Sequence, residues 1–175
     1  NNGVWGFKVV ELARTGDRVE QGRVWENNAS FIFEPASSLK TLHLVAAMSG
    51  VEKGELSLDQ EILWYQLDPS FDDPKTERDE REYLCPTRVN PAYSPLQEGL
   101  SKMMEHSDNR WTMAIVDLLG FERINQTGKS LGLTDSVVRH RIGCAYPTEG
   151  DPGLLDSPNQ TTLNDLVTIF LKVEN

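Results

Sequence analysis

The chain has 175 residues, of which 38% are hydrophobic and 25% are charged, a composition typical of a folded globular protein rather than a disordered one. Its 17 Lys and Arg residues against 27 Asp and Glu residues give a net charge of −10, which argues against nucleic-acid binding and against a polybasic contact with a membrane. No apolar run approaches the roughly 20 residues of a transmembrane helix, so we expect no membrane insertion.

The first predicted elements are two strands joined by a tight turn. Residues 4–12 are rich in β-branched and aromatic side chains, and a second strand is predicted at about residues 19–26. Gly16 and Asp17 occupy the tip of the turn between them, so the pattern predicts an N-terminal hairpin. Because two strands alone make a marginal sheet, we expect either that helices cover them or that residues absent from this chain complete the sheet.

Helical periodicity dominates the rest of the chain. The run 36–54 is apolar almost all round, which predicts a central, buried helix that ends at Gly50 or Gly54. Three further helices are predicted: one begins at Ser94, a second ends at Gly120 and a third ends at Gly132. A final helix, capped by Thr161 or Thr162, is expected to bury four apolar side chains: Leu166, Ile169, Phe170 and Val173.

Two segments interrupt this helical pattern. Residues 68–82 are dominated by charges and contain two prolines, which favours an exposed loop. Residues 143–160 contain three glycines and three prolines and are predicted to form a long loop, a feature that is usually functional in a compact domain.

The cysteines and histidines give little support to a metal site. Cys85 and Cys144 are too few for a disulfide-dense scaffold or a cysteine-built zinc site. They form either one bridge or two buried thiols, and we favour the thiols. The histidines, His43, His106 and His140, show no metal-ligand spacing, and for His43 we favour a packed helix residue over a base.

Ser37 and Lys40 could form a nucleophile and its base. On a helix, residues three apart share a face, so the two side chains point the same way. A serine hydroxyl is a weak nucleophile at neutral pH, but an adjacent amine can take its proton when burial lowers the pKa of that amine. The S-x-x-K spacing alone is a weak signal, and taken by itself it favours a capping serine beside a surface lysine.

A second triplet, Ser107-Asp108-Asn109, lies between two predicted helices. This triplet is rare by chance in a chain of this composition. Its three residue types are also favoured helix caps, and a capping role is compatible with a functional one, since a cap fixes the side chains rigidly.

Together the two triplets resemble those of the serine penicillin-recognising family, which includes the class A β-lactamases and penicillin-binding proteins. FEPASSLKTLHLVAAM resembles the family's nucleophile helix, and LQEGLSKMMEHSDNRWTMAIVDLLG resembles its helix–SDN–helix segment. INQTGKSLGLTDSVVRHR and NQTTLNDLVTIFLKV resemble the stretches before and after the active-site loop. The resemblance covers nearly the whole chain, and the SDN triplet favours the class A branch over the carboxypeptidases.

The resemblance implies an α/β plus all-α architecture, the β-lactamase/transpeptidase-like fold. Residues 1–30 would be the hairpin of the α/β part, whose sheet is incomplete in this chain. Residues 31–175 would be the helical part, with the nucleophile helix, the SDN segment and the active-site loop at 143–160.

The resemblance also implies a role for each motif residue. Ser37 would be the acylated nucleophile and Lys40 the amine that takes its proton. Ser107 would relay a proton to the leaving nitrogen. Asn109 would hold Lys40 and bind the amide carbonyl of the substrate. The oxyanion hole would use the backbone N–H of Ser37 and one from a later strand. No metal or organic cofactor is implied.

The sequence departs from the family in two ways. The loop E-x-x-L-N pattern, whose Glu activates the deacylating water, is absent. Glu149 is the one loop acid retained as a candidate deacylation base, although a surface role is favoured, so we expect slow deacylation. The K-T-G element is also absent: the chain stops at Asn175, where the family has three more strands and a final helix.

These observations predict a serine hydrolase or acyltransferase that is acylated at Ser37 by a β-lactam, amide or ester carbonyl. The alternative is a catalytically inactive binding or interaction protein on the same fold. The expected partners are a small-molecule or peptide acyl substrate, and a C-terminal fragment or second chain that completes the sheet.

The chain starts at Asn1 without a signal peptide, so we expect it to lie inside a longer product. The resemblance implies a secreted or periplasmic protein.

Overall fold

The computed structural model describes residues 3–16, 18–66, 88–144 and 158–173. Within these ranges four α-helices pack around a central fifth, and two small antiparallel sheets lie beside them. None of the helices in these ranges is both long and apolar enough to span a membrane.

The predicted N-terminal hairpin is present. Strand β1 (Phe7–Thr15) pairs antiparallel with β2 (Arg18–Asn27), with an irregularity in register between Val10 and Leu12. Gly16 has φ of 64°, the left-handed conformation that a glycine adopts without steric cost at such a turn. The division of the chain into a hairpin part and a helical part is still a prediction.

A second sheet was missed by the sequence analysis. Strand β3 (Glu61–Tyr65) pairs antiparallel with β4 (Pro91–Pro95). The sequence predicted that a helix begins at Ser94, but Ser94 and Pro95 belong to β4. The β4 sequence PAYSP has a proline at each end and no apolar alternation, so it carries no strand signal. Helix α2 (Leu96–Glu105) begins directly after it.

The central helix, α1 (Lys40–Glu52), is preceded by a 3-10 turn (Ala36–Leu39) and ends before Gly54, whose φ is 70°. Its fully buried residues lie on one face, and Met48 on the opposite side is 41% exposed, so the helix is central, as predicted, but is not buried on every side. Helix α1 contacts α2, and it also contacts α3 (Asn109–Leu119), α4 (Phe121–Leu131) and α5 (Leu163–Val173). Helices α3 and α4 end at the predicted glycines, Gly120 and Gly132.

The last helix only partly follows the prediction. Thr162 Oγ1 accepts the backbone N–H of Asp165 at 3.2 Å, which is the expected capping bond. Ile169 is fully buried, but Phe170 is 57% exposed and Val173 is 60% exposed. The expectation that these two side chains are buried is therefore wrong, because no described element covers that side of α5.

The structure also decides between the two cysteine alternatives. Cys144 is disulfide-bonded, so the favoured interpretation of two free thiols is wrong at this position. Cys85, the other cysteine of the sequence, lies outside the described residues, as does the charged segment 68–82.

Candidate active site

The proposed nucleophile lies in the 3-10 turn at the start of α1. The backbone N–H of Lys40 donates to the carbonyl of Ser37, a bond that spans three residues. In a 3-10 turn the side chains at i and i+3 eclipse one another, so this bond places the two on one side of the turn. Ser37 is exposed, whereas the neighbouring Ser38 Oγ donates to the carbonyl of Pro35 at 2.6 Å.

The Lys40 amine reaches the SDN segment, 67 residues further along the chain. Its Nζ donates to Asn109 Oδ1 at 2.7 Å, to Ser107 Oγ at 3.1 Å and to the carbonyl of Ser107 at 2.5 Å. Lys40 is only 2% exposed. An ammonium group has three N–H donors, and the three acceptors therefore satisfy the whole group in its charged form.

The backbone at Ser107 is unusual. Its φ of 55° lies in the left-handed region, which residues other than glycine seldom occupy. Such strained positions cluster at functional sites. The conformation occurs in the turn between α2 and α3, where both the hydroxyl and the carbonyl of this residue contact the amine.

Electrostatics favour a Lys40 that can lose its proton near neutral pH. Burial lowers the pKa of the Lys40 amine to about 8, against a weaker opposing effect from the charge of Asp108. Burial alone would raise the pKa of the Asp108 carboxyl, but its hydrogen bonds to Arg110 outweigh that effect and keep the pKa low. At neutral pH a minor fraction of the molecules therefore carries the free amine, which can act as a base toward a nearby serine hydroxyl.

His43 lies one turn beyond Lys40 and is fully buried. Its Nδ1 is 2.9 Å from the carbonyl of Leu39. Burial lowers the pKa of the imidazole to about 4, so the ring is neutral at physiological pH. These contacts agree with a packed helix residue.

The two ends of the predicted active-site loop are held by buried polar side chains. Asn159 Oδ1 accepts from the backbone N–H of Arg139 at 2.7 Å and from that of His140 at 3.1 Å. Asp165 accepts from the backbone N–H groups of Thr134 and Asp135. Residues 145–157 of the loop, including the candidate base Glu149, lie outside the described residues.

Sequence reasoning missed the surroundings of the SDN segment. Arg110 binds the Asp108 carboxylate, and its guanidinium lies over the ring of Trp64 on β3. Trp64 in turn stacks on Trp111, with ring centroids 4.2 Å apart. Asp108 and Arg110, two residues apart, were the only sequence signal for this cluster, because Trp64 lies 46 residues before Arg110 in a strand whose partner was not predicted.

The fold and these contacts define a serine-and-lysine site between a helix start and an SDN turn. Residues 1–175 match the family model described as Beta-lactamase enzyme family. The chain therefore belongs to the beta-lactamase enzyme family, and the resemblance drawn from its motifs is confirmed. No protein with a curated description is similar enough in sequence to count as a match.

Solved structures share the fold at low sequence identity. A beta-lactamase from Sphaerobacter thermophilus DSM 20745 is 22% identical, with a TM-score of 0.61, over 85% of this chain and 51% of that one. Penicillin-Binding Protein D2 from Listeria monocytogenes, in its ampicillin-bound form, is 18% identical, with a TM-score of 0.60, over 87% and 56%. A mutant of PBP-A, as an acyl-enzyme complex with penicillin G, is 24% identical, with a TM-score of 0.62, over 86% and 50%.

These likenesses confirm the predicted β-lactamase/transpeptidase-like fold. The chain spans about half the length of the structures that it matches. The described helices and strands therefore correspond to part of the fold that those proteins contain.

Proposed function

We propose that this chain carries the acylation machinery of a penicillin-recognising serine hydrolase, with Ser37 as the nucleophile. The observation that supports it most strongly is the set of three hydrogen bonds from the buried Lys40 amine to Ser107 and Asn109. The substrate class is a β-lactam, amide or ester carbonyl. The structures matched here include a penicillin-binding protein with ampicillin and an acyl-enzyme complex with penicillin G.

The reaction begins with proton transfer from Ser37 Oγ to the free amine of Lys40. The Ser37 oxygen attacks the carbonyl carbon, and the negative charge that develops on the carbonyl oxygen is stabilised by the backbone N–H of Ser37 together with one from a later strand. When the carbon–nitrogen bond breaks, the leaving nitrogen takes a proton from Ser107 Oγ. The Lys40 ammonium returns a proton to Ser107, which leaves an ester on Ser37 and a neutral amine on Lys40.

Asn109 binds both the Lys40 amine and the substrate in this scheme. Its Oδ1 accepts from Lys40 at 2.7 Å, which fixes the amine, and in this scheme its amide nitrogen donates to the amide carbonyl of the substrate when the substrate binds. We propose slow deacylation, since the sequence lacks the E-x-x-L-N pattern and Glu149 is the remaining loop candidate for a base.

We further propose that another segment of the family fold, attached to this chain or supplied as a second chain, covers the outer face of the hairpin. Phe7 and Val9 point to one face of β1, and Trp25 lies opposite Val9 on β2. All three side chains are exposed, and Trp5 stacks on Phe7 beside them. An exposed apolar face of this kind marks an interaction surface.

We also propose that the protein is secreted or periplasmic, because its proposed substrate, a β-lactam or peptide, implies work outside the cytoplasm.

Labelling with a fluorescent penicillin tests the nucleophile. We expect wild type to take up the label covalently and Ser37→Ala to lose it by at least about 100-fold, because Ser37 is the hydroxyl that the motif places on the same side of the turn as the amine. Ser38→Ala is the matched control, since its hydroxyl is occupied by the carbonyl of Pro35, and this variant should keep the label. No labelling of either protein would favour the binding-protein alternative, and equal labelling of wild type and Ser37→Ala would show that another residue is the nucleophile.

A further inference from the structure

The side chain of Arg110 binds the carboxylate of Asp108, the middle residue of the SDN triplet. Its Nε donates to Asp108 Oδ1 at 3.1 Å and its Nη2 donates to Oδ2 at 2.5 Å, so the guanidinium binds both carboxylate oxygens. The backbone N–H of Arg110 also donates to Oδ1, at 2.9 Å, as part of the α3 cap. Both side chains are mostly buried, with 24% of Arg110 and 17% of Asp108 exposed. A two-pronged pair of this kind fixes the orientation of the carboxylate.

Arg110 is itself held from the other side. Its guanidinium carbon lies 5.8 Å from the ring centroid of Trp64, an arrangement that favours a cation over an aromatic face. Trp64 stacks on Trp111 and donates from Nε1 to Ser94 Oγ at 3.3 Å. The guanidinium therefore lies between strand β3 and the start of helix α3.

The carboxylate that Arg110 grips belongs to the turn that holds the Lys40 amine. Asp108 lies between Ser107 and Asn109, the two residues that accept hydrogen bonds from Lys40 Nζ. Among the residues described, the charged or titratable groups coupled to Lys40 are Asp108, from the α3 side, and His43, on α1. His43 is neutral above about pH 5, which leaves Asp108 as the charge that favours the ammonium form.

We propose that Arg110 is a positioning residue for the Lys40 amine: its guanidinium clamps the Asp108 carboxylate and offsets its charge, so that Ser107 and Asn109 hold an amine that can act as a base. This inference rests on the proposed function for its catalytic meaning, but the physical effect on Lys40 exists whether or not the chain is acylated. Arg110 acts through Asp108 and does not itself contact the reacting atoms.

A direct titration of Lys40 tests the clamp. The pKa of the amine is read from the lysine ¹³Cε resonances by NMR, with the Lys40 signal identified by its loss in Lys40→Arg. We expect Arg110→Gln to raise the pKa of Lys40 by about 0.5 to 1 pH unit, because the Asp108 charge then acts on the amine without its counterion. Arg110→Lys keeps the charge without the two-pronged fork and should give a smaller rise.

The double variant separates the clamp from a general effect on packing. Asp108→Asn keeps a capping side chain but removes the charge, and it should lower the pKa of Lys40. In that background we expect Arg110→Gln to shift the pKa of Lys40 by less than about 0.2 unit, since residue 108 no longer carries a negative charge that Arg110 could neutralise. Arg123→Gln, on helix α4, removes a guanidinium that is paired with Glu55; it is the matched control and should leave the pKa of Lys40 unchanged.

These outcomes do not depend on acylation. An unchanged Lys40 pKa in Arg110→Gln, or an equal rise in the Asp108→Asn background, would overturn the proposal even if penicillin labels Ser37. The expected shifts in a chain that takes up no penicillin would uphold the clamp and count against the proposed function alone. If Arg110→Gln fails to fold, Arg110→Lys, with and without Asp108→Asn, decides in the same way.

Discussion

The Lys40 amine is the residue on which the proposed chemistry depends. A lysine with an ordinary pKa of 10.5 is free at pH 7 in roughly one molecule in three thousand, whereas a pKa of about 8 leaves about a tenth of the molecules in the free form. Burial at the start of α1 thus increases the population of the active base by more than two orders of magnitude. The same burial disfavours the charged form, and the three acceptors on Ser107 and Asn109 compensate for it.

The rate of acylation should therefore follow the titration of Lys40. The free amine is the base, so the rate rises about tenfold per pH unit below pH 7 and levels off above a midpoint near pH 8. The measurement is the rate of penicillin adduct formation from pH 5.5 to 9.5. A rate that falls as the pH rises through 8 would mean that the ammonium, not the amine, is the active form.

The roles of single residues were only partly accessible from the sequence. Ser37, Lys40, Ser107 and Asn109 were found because short motifs carry them, and the structure brings Lys40 together with the last two. The Arg110 contact with Trp64 was not found, because it joins a helix start to strand β3, and the partner of that strand, β4, has no sequence signal of its own. Residue types show which groups are present, but contacts between distant segments depend on the packing of the whole fold.

At the level of elements, Asp165 ties helix α5 to the segment that follows α4. Its carboxylate, which is only 4% exposed, accepts from Thr134 N at 3.2 Å, Asp135 N at 2.9 Å and Ser136 Oγ at 2.8 Å. Three donors from one short segment converge on this buried carboxylate. This tie holds residues 134–136, directly after α4, against the start of α5.

Asp165→Ala should therefore be strongly destabilising. Loss of the buried carboxylate removes the acceptor of three partly buried donors, and we expect the free energy of unfolding to fall by about 2 kcal/mol in urea titrations followed by circular dichroism. Glu122→Ala, on the exposed surface of α4, is the control and should change it by less than about 0.5 kcal/mol. A loss below about 1 kcal/mol for Asp165→Ala would show that the tie is not structural.

Elements with a strong local pattern were predicted well, and those defined by their partners were not. The central helix followed from an apolar sequence on all sides, and the ends of α3 and α4 followed from Gly120 and Gly132. Strand β4 was missed because its two prolines argue against a strand, and it forms only through its pairing with β3. Phe170 was expected to be buried because it is apolar, but periodicity does not tell whether another element covers that face.

At the scale of the whole molecule, the helical core is well formed while the hairpin presents apolar side chains to solvent. Leu39, Leu42 and Ile115 are fully buried in one core cluster, whereas Trp5 is 69% exposed and Val9 is 53% exposed. The chain spans about half the length of the solved structures that it matches. The proposed covering segment would bury the hairpin face and bring a second oxyanion-hole N–H to Ser37.

The central claim is that Ser37 accepts an acyl group and releases it slowly. An intact-mass time course with excess benzylpenicillin, run on wild type beside Ser37→Ala and Ser38→Ala, tests it most directly. We predict a single penicilloyl adduct that persists for many minutes on wild type and Ser38→Ala and is absent from Ser37→Ala. A wild-type mass that stays unmodified while penicillin is still present, or an adduct that forms equally on Ser37→Ala, would contradict it.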